Sequence, residues 1–196
     1  MSSTNPRRPG RRTGDSTTRD DILRAAQSLF GSNGFKNTSM RAVAAEAGVD
    51  VALVPYYFGS KRGLFVAALE VPVDPVAQVV RATQGPRERL GERMAAEFTA
   101  VWEHPDTSSA MRGLLRSVIT DESESSAYAE FMSTEMVPLV AELTGVSLET
   151  ARVAVSMLFG MATMRYLIGV PLFVELSRDE VIALWGPHLQ RVIDAD

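Results

Sequence analysis

The segment from Thr38 to Phe65, TSMRAVAAEAGVDVALVPYYFGSKRGLF, constrains this chain most. It encodes two short helices hinged at one glycine, followed by a basic-aromatic strip. Thr38 and Ser39 offer hydroxyls that cap the first amides of a helix, and Met40, Val43, Ala44 and Ala47 recur at i, i+3, i+4 and i+7. That spacing predicts a two-turn helix with one buried stripe. Gly48 is suited to the left-handed conformation that ends a helix, Val49 is placed to plug the angle between two helices, and Asp50 is placed to cap the next. The residues from Val51 to Tyr57 are small, apolar or aromatic, a surface that a first helical turn can lay in a major groove. Gly59 and Ser60 break and restart the chain before Lys61 and Arg62, where free amides, helix dipole and ammonium favour a phosphate. This is the layout of a helix-turn-helix DNA reader.

Further residues at fixed spacing carry a resemblance. Ala25-Ala26, Leu29-Phe30, Gly34-Phe35, Thr38-Ser39, Ala47-Gly48-Val49 and Tyr57-Phe58-Gly59-Ser60-Lys61 together resemble the DNA-binding domain of the tetracycline-repressor (TetR) family of bacterial transcription regulators. The resemblance implies an all-α fold of about nine to ten helices, an N-terminal three-helix helix-turn-helix domain followed by a larger helical ligand-binding and dimerisation domain. It implies a sequence-specific regulator, most simply a repressor, that binds a palindromic double-stranded operator as a homodimer and is released by a small-molecule effector. Matched to the family motif, Thr38, Ser39, Tyr57 and Lys61 are the expected phosphate contacts, which orient the protein without specifying sequence. Base-edge contacts are expected from Val51, Ala52, Leu53, Pro55 and Tyr56, with Arg41 reaching from the preceding helix. Val51 and Leu53 could equally pack inside the reader, Arg41 could meet only phosphate, and Tyr56 could prop the fold. The chain departs from the family pattern at Ala52, where Gly is frequent, and at Pro55, where an aromatic is usual. Pro55 is expected to distort the second helix or shorten it to about one turn, since an interior proline costs about 3 kcal/mol and biases the residue before it away from helix.

The net charge of −4 hides an asymmetry. Residues 1 to 62 carry ten Lys or Arg against five acids, a net of +5, so the remainder carries −9. A basic front and an acidic rear suit a protein that presents one end to a polyanion. With 196 residues and 45% hydrophobic content the chain can hold a reader and a second helical unit. It has no cysteine, hence no disulfide framework and no thiolate metal site. The first residues lack the apolar stretch of a signal peptide, and the run from Val153 to Met164, interrupted by Ser156 and Thr163, reads as too short to span a membrane. The expectation is a cytoplasmic, nucleoid-associated protein with no membrane partner.

Residues 1 to 16, rich in Ser, Thr, Pro, Gly and Arg, read as a disordered basic arm, either following the DNA backbone through Arg7-Arg8 and Arg11-Arg12 or simply solvated. The reader spans 17 to 74, with its helix-turn-helix at about 39 to 58 and a first helix from about Thr18 to Ser32. VPVDP, from Val71 to Pro75, reads as the boundary, and 75 to 196 as the regulatory and dimerisation domain. Within it, helices are expected near 75 to 84, 87 to 103, 107 to 121, 124 to 143, 147 to 168 and 178 to 193.

The helix at 147 to 168 is apolar nearly all round and should be buried on most sides. Ser156 and Gly160 allow a close helix approach, and Trp185, Leu189 and Val192 add apolar surface on the last helix; together they form either a dimer interface, as the resemblance implies, or the core of a monomeric bundle. An effector cavity, also implied by the resemblance, would draw on Phe98, Trp102, Met111, Leu115, Tyr128, Phe131, Met132, Met136, Met157, Met161 and Met164. Methionines at helical spacing are as readily ordinary core. Arg165 reads as neutralising an anionic ligand or, preferably, as forming an intersubunit salt bridge.

An enzyme is disfavoured. The chain has two histidines, His104 and His188, and lacks an HExxH motif, a phosphate-binding glycine loop and a nucleophile motif. No cofactor is expected, and Asp121, Glu122 and Glu124 read as a solvated helix junction in preference to a metal site. The competing reading is a DNA-binding regulator or activator that answers to no ligand.

Overall fold

The computed structural model describes residues 13–70 and 73–196, and among these residues all regular structure is helical. Most of the expected arm therefore lies outside the described residues. The first helix, α1 (Thr13–Asn37), begins five residues earlier than the periodicity predicts, and its helical course is interrupted at Gly34, which sits at φ 78°, ψ 173°. The expected Asn33-Gly34 stop is thus real, with the last residues forming a separate turn.

The helix-turn-helix forms as its caps dictate. Ser39 Oγ accepts from Ala42 N–H at 3.1 Å and opens α2 (Met40–Glu46), and Gly48 takes φ 66° at the turn. Asp50 Oδ1 accepts from Ala52 N–H at 2.8 Å ahead of α3 (Leu53–Phe58). Pro55 does not break α3. It occupies the third helical position, where an N–H would have no partner in the helix's own ladder, so the proline costs no interior hydrogen bond and Val54 remains helical. Gly59 at φ 71° ends the helix, and Ser60 caps α4 (Lys61–Ala68) by accepting from Gly63 N–H at 3.0 Å.

The rear of the chain follows the expected order closely. It comprises α5 (Pro75–Thr83), a 3₁₀ turn at Arg87–Arg89 leading into α6 (Leu90–Glu103), and α7 (Ser108–Thr120). Next, α8 (Glu122–Phe131) runs through a π-helical turn, Met132–Met136, into α9 (Val137–Thr144). The helix α10 (Leu148–Ala162) continues into a second π turn, Thr163–Ile168, and α12 (Arg178–Asp194) opens with a capping box between Ser177 and Glu180. The single helices expected at 124 to 143 and 147 to 168 therefore each contain a wider turn. A short α11 (Pro171–Val174) was missed because Gly169 and Pro171 read as punctuation, whereas a proline at the first helical position starts a helix.

The core does not respect the expected boundary between reader and rear. One buried cluster joins Ile22, Phe30, Val43, Val54, Leu64 and Phe65 to Ala127, Phe131 and Met136. Phe131 of α8 lies 4.7 Å from Phe65 and 5.4 Å from Phe35 between ring centroids, and Phe30 and Phe35 meet Phe65 edge-on at 4.9 and 5.0 Å. Each such pair contributes about 0.5–1.5 kcal/mol beyond the area it buries. Polar contacts reinforce the junction: Lys36 N–H donates to Glu130 Oε2 at 2.8 Å, and Arg62 pairs with Glu135 at 3.7 Å.

In the rear, α6 and α12 cross so closely that their backbones touch. A Cβ on Gly91 would lie 2.4 Å from Gln190 N and 2.5 Å from Gly186 O, and one on Gly186 would lie 2.9 Å from Glu92 Cα. Nearby, Glu103 on α6 holds the second π turn. Its Oε1 accepts from Arg165 Nη2 at 2.9 Å and from Tyr166 Oη at 2.8 Å, while Arg165 also donates to the carbonyls of Phe173 and Val174 at α11. Arg165 thus forms an ion pair within its own chain and pins α11, in place of the expected intersubunit bridge.

The expectation that α10 is buried on most sides is not met within one chain. Ala151, Ala154, Leu158, Met161 and Ala162 are buried, whereas Val153 (43% exposed), Ser156, Gly160 and Met164 face outward. The continuous helical run Leu148–Ile168, 21 residues, is long and apolar enough to cross a membrane by length and composition, contrary to the shorter estimate from Val153 to Met164. One side of it packs in the bundle.

Gly91→Ala should lower the unfolding free energy by about 1–3 kcal/mol through overpacking against α12. Gly113→Ala, where an added Cβ meets nothing within 4 Å, should raise it by about 0.5–1 kcal/mol through helix propensity. Urea denaturation of the two variants checks both signs.

Candidate nucleic-acid interface and effector cavity

The reader presents a compact exposed face. Arg41 on α2, Val51 (47% exposed) and Ala52 in the turn, and Pro55 and Tyr56 (74% exposed) on α3 are open to solvent together. Leu53 is half-buried against the reader core, and Tyr57 is half-buried, with its ring 5.0 Å from that of Tyr56. The apolar side chains on this face can meet thymine methyls, and Arg41 can reach a guanine edge or a phosphate. Ser39 is exposed, and because its oxygen accepts from Ala42 N–H, its own O–H hydrogen remains free to donate outward.

One expected phosphate contact is turned inward, and a second is tethered by one of its donors. Thr38 is 2% exposed, and its Oγ1 donates to the carbonyls of Leu29 at 3.0 Å and Gly34 at 2.9 Å. It locks the end of α1 to the start of α2 and does not reach the surface. A threonine at a cap position reads the same in sequence whether its hydroxyl points outward or back. Lys61 folds inward: Nζ donates to Lys36 O at 3.0 Å and lies 4.5 Å from the centre of the Phe35 ring. Burial lowers its pKa against the raising influence of Glu130 and Glu135. Two of its three N–H donors are left for a phosphate, at a position fixed by the aromatic core.

Behind the reader lies a cavity of about 170 Å³. Of the residues expected to line it, Phe98, Trp102 and Met111 do so from α6 and α7. Tyr128 and Phe131 line it from α8, and Met132 and Met136 from the π turn. The other four do not line it. Leu115 points into a core with Trp102 and Ala162, and its neighbour Leu114 takes the lining position. Met161 is buried beside the wall, Met157 packs against another core, and Met164 faces outward. Sequence reasoning missed Val66 of α4 and Leu69 at its C-terminal end, because that helix was read as part of the reader alone, and Gln78, Glu97 and Phe159. Apolar periodicity on α4 continuing past its own core was the available signal.

The wall is aromatic and nearly free of charge. Phe98 meets Phe159 edge-on at 5.4 Å and Trp102 at 6.0 Å. Burial pushes the Tyr128 phenol up from its ordinary pKa, so it stays protonated. Among the described residues no group of three or more His, Asp or Glu side chains is gathered to hold a metal ion.

An all-helical chain with an exposed helix-turn-helix face in front of a closed helical bundle defines a class, the bacterial helix-turn-helix regulators, and comparison with known proteins agrees. Residues 22–68 match the family described as bacterial regulatory proteins, tetR family, and residues 88–193 match the tetracyclin repressor-like C-terminal domain. The chain belongs to the tetracycline-repressor family of transcription regulators. It is 30% identical to a solved TetR-family regulator from Streptomyces coelicolor, covering 95% of this chain and 99% of that one with a TM-score of 0.56. It is 25% identical to the multidrug binding protein EbrR, solved as a complex with imidazole, covering 97% of each chain with a TM-score of 0.50. The HTH-type transcriptional regulator BetI of Agrobacterium fabrum is 35% identical over 97 residues, 47% of this chain and 47% of BetI. The chain spans about half, or less, of the length of the curated relatives it matches.

Thr38→Val should lower the unfolding free energy by about 0.5–1.5 kcal/mol, since the shared hydroxyl hydrogen bond to Leu29 and Gly34 is lost, while leaving the salt dependence of DNA binding unchanged. Arg41→Ala should leave stability within about 0.5 kcal/mol of wild type and weaken DNA binding. Paired urea melts and salt-titrated anisotropy separate the two roles.

Proposed function

We propose that this protein is a ligand-responsive repressor that binds a palindromic operator as a homodimer and releases it when a small molecule fills the cavity. The observation that carries this reading is a shared wall. Val66 of α4 and Leu69 at its C-terminal end, together with Phe131, Met132 and Met136, line the cavity and also form or pack against the reader core. A molecule in the cavity presses on the side chains that fix how the reader is held. Half-sites one helical turn apart require reading elements about 34–36 Å apart, so a tilt of each reader by a few ångströms breaks the match.

Dimerisation is supported by the apolar face left open on α10 and α12. Val153, Met164 and Leu184 (49% exposed) lie there with the small residues Ser156 and Gly160, and Trp185 and Val192 are half-buried beside them. Leu189, expected in the interface, is 0% exposed within its own chain and belongs to the rear core. The proposed interface uses Leu184 and Val153 in its stead. In this arrangement Arg41, Val51, Ala52, Pro55 and Tyr56 read bases while Ser39, Tyr57 and Lys61 hold phosphates. EbrR, solved with imidazole, supports small-molecule binding in a chain of this shape.

Leu184→Glu places a charge in the proposed dimer face. It should give a monomeric mass in sedimentation and weaken binding to a selected palindromic duplex by about 100-fold or more, because the second reader no longer adds its grip. An unchanged dimer mass would remove α12 from the interface, and equal affinity for palindromic and random duplexes would remove sequence-specific control.

A further inference from the structure

The polar content of the cavity narrows what it can hold, given the proposed role of the cavity as an effector site. Its lining residues include no Lys, Arg or His, so an anion entering it would lose its water with nothing to replace it. Its single acid, Glu97, is already engaged: Arg81 Nε donates to Glu97 Oε2 at 2.8 Å. Gln78 joins the same knot with its amide oriented so that nitrogen donates to the Glu97 carbonyl at 2.8 Å and oxygen accepts from Arg81 Nη2 at 3.2 Å, the orientation that satisfies both. A cation would have to displace Arg81 to find a counter-charge.

Tyr128 differs from both. Its hydroxyl has no hydrogen-bond partner among the described residues, yet every sealed side-chain oxygen and nitrogen among them is paired. The phenol oxygen is therefore not sealed, and Tyr128 is one of the residues that line the cavity. Phe98, Trp102 and Phe159 contribute aromatic surface to the same wall. The volume, about 170 Å³, is close to that of an engineered cavity of about 150 Å³ that accepts benzene.

We propose that the effector is an uncharged, mostly apolar molecule about the size of one substituted aromatic ring, with a hydrogen-bond acceptor that receives the Tyr128 hydroxyl. The apolar ring fills the space between Phe98, Trp102 and Phe159. The acceptor selects against plain hydrocarbons, and the absence of a free counter-charge selects against ions of the same shape.

Four probes of nearly one shape test this by calorimetric titration of the full-length protein: acetophenone, cumene, benzoate and benzamidinium. Acetophenone should bind tightest, cumene about 3- to 10-fold more weakly for want of the hydrogen bond, and the two ions more weakly still. Tyr128→Phe should bring acetophenone to the level of cumene while leaving cumene unchanged. Benzoate or benzamidinium binding as tightly as acetophenone in the wild-type protein overturns the uncharged class and leaves the effector cavity standing. Acetophenone indifferent to Tyr128→Phe overturns the role of the hydroxyl. Failure of all four to bind overturns the cavity reading together with the class. The wild-type comparison decides the class even if the variant fails to fold.

Discussion

Four phenylalanine rings hold this protein together where its two halves meet. Phe30 and Phe35 from α1 and Phe65 from α4 would leave a small three-helix reader with an open side, and Phe131 from α8 closes it at 4.7 Å from Phe65 and 5.4 Å from Phe35. A unit of this size is marginal alone because too little of its surface is buried. The polar contacts around the rings, Glu130 to Lys36 N–H and Glu135 to Arg62, are partly exposed, and the ion pair contributes under about 1 kcal/mol. The rings carry the junction, and the polar contacts orient it.

The location of Phe131 gives the cavity its importance. Phe131, Met132 and Met136 belong to the reader's surroundings on one side and to the cavity wall on the other, and Val66 and Leu69 extend that wall along α4. The π-helical turn Met132–Met136 lies at this junction, inside an otherwise regular helical run. Wide turns of this kind recur at functional positions because they displace side chains that a regular helix would align. Among the described residues, side chains of the reader's core are also side chains of the cavity wall.

Much of this was legible in the sequence, and the failures share a cause. Caps and hinges were readable because they act locally: Ser39, Gly48, Gly59 and Ser60 each do what their chemistry and spacing indicate, whereas Asp50 bonds Ala52 N–H within the turn and Ala52 itself stands at the N-cap of α3. Rear helices were readable from periodicity and from Gly and Pro punctuation. The direction in which a side chain points was not. Thr38 looks outward in sequence and points inward, Lys61 bends back over Phe35, and Leu115 yields the cavity to Leu114. Pro55 was judged as an interior proline, although its effect depends on where the helix starts, and α3 starts two residues before it. Phe131 could be marked as a cavity residue, but its partnership with Phe35 and Phe65 joins positions far apart in the chain, which no local pattern encodes.

The claim that reader and rear share one core is tested most directly by native-state hydrogen exchange on the full-length protein and on Phe131→Ala. Truncating a buried ring of this kind costs about 3–5 kcal/mol. If the core is shared, amides in α1, α2 and α4 lose protection together with those in α8 and α9, by comparable amounts. Loss of protection confined to α8 and α9, with the reader amides unchanged, would contradict the account and make the reader an independent unit that merely touches the bundle.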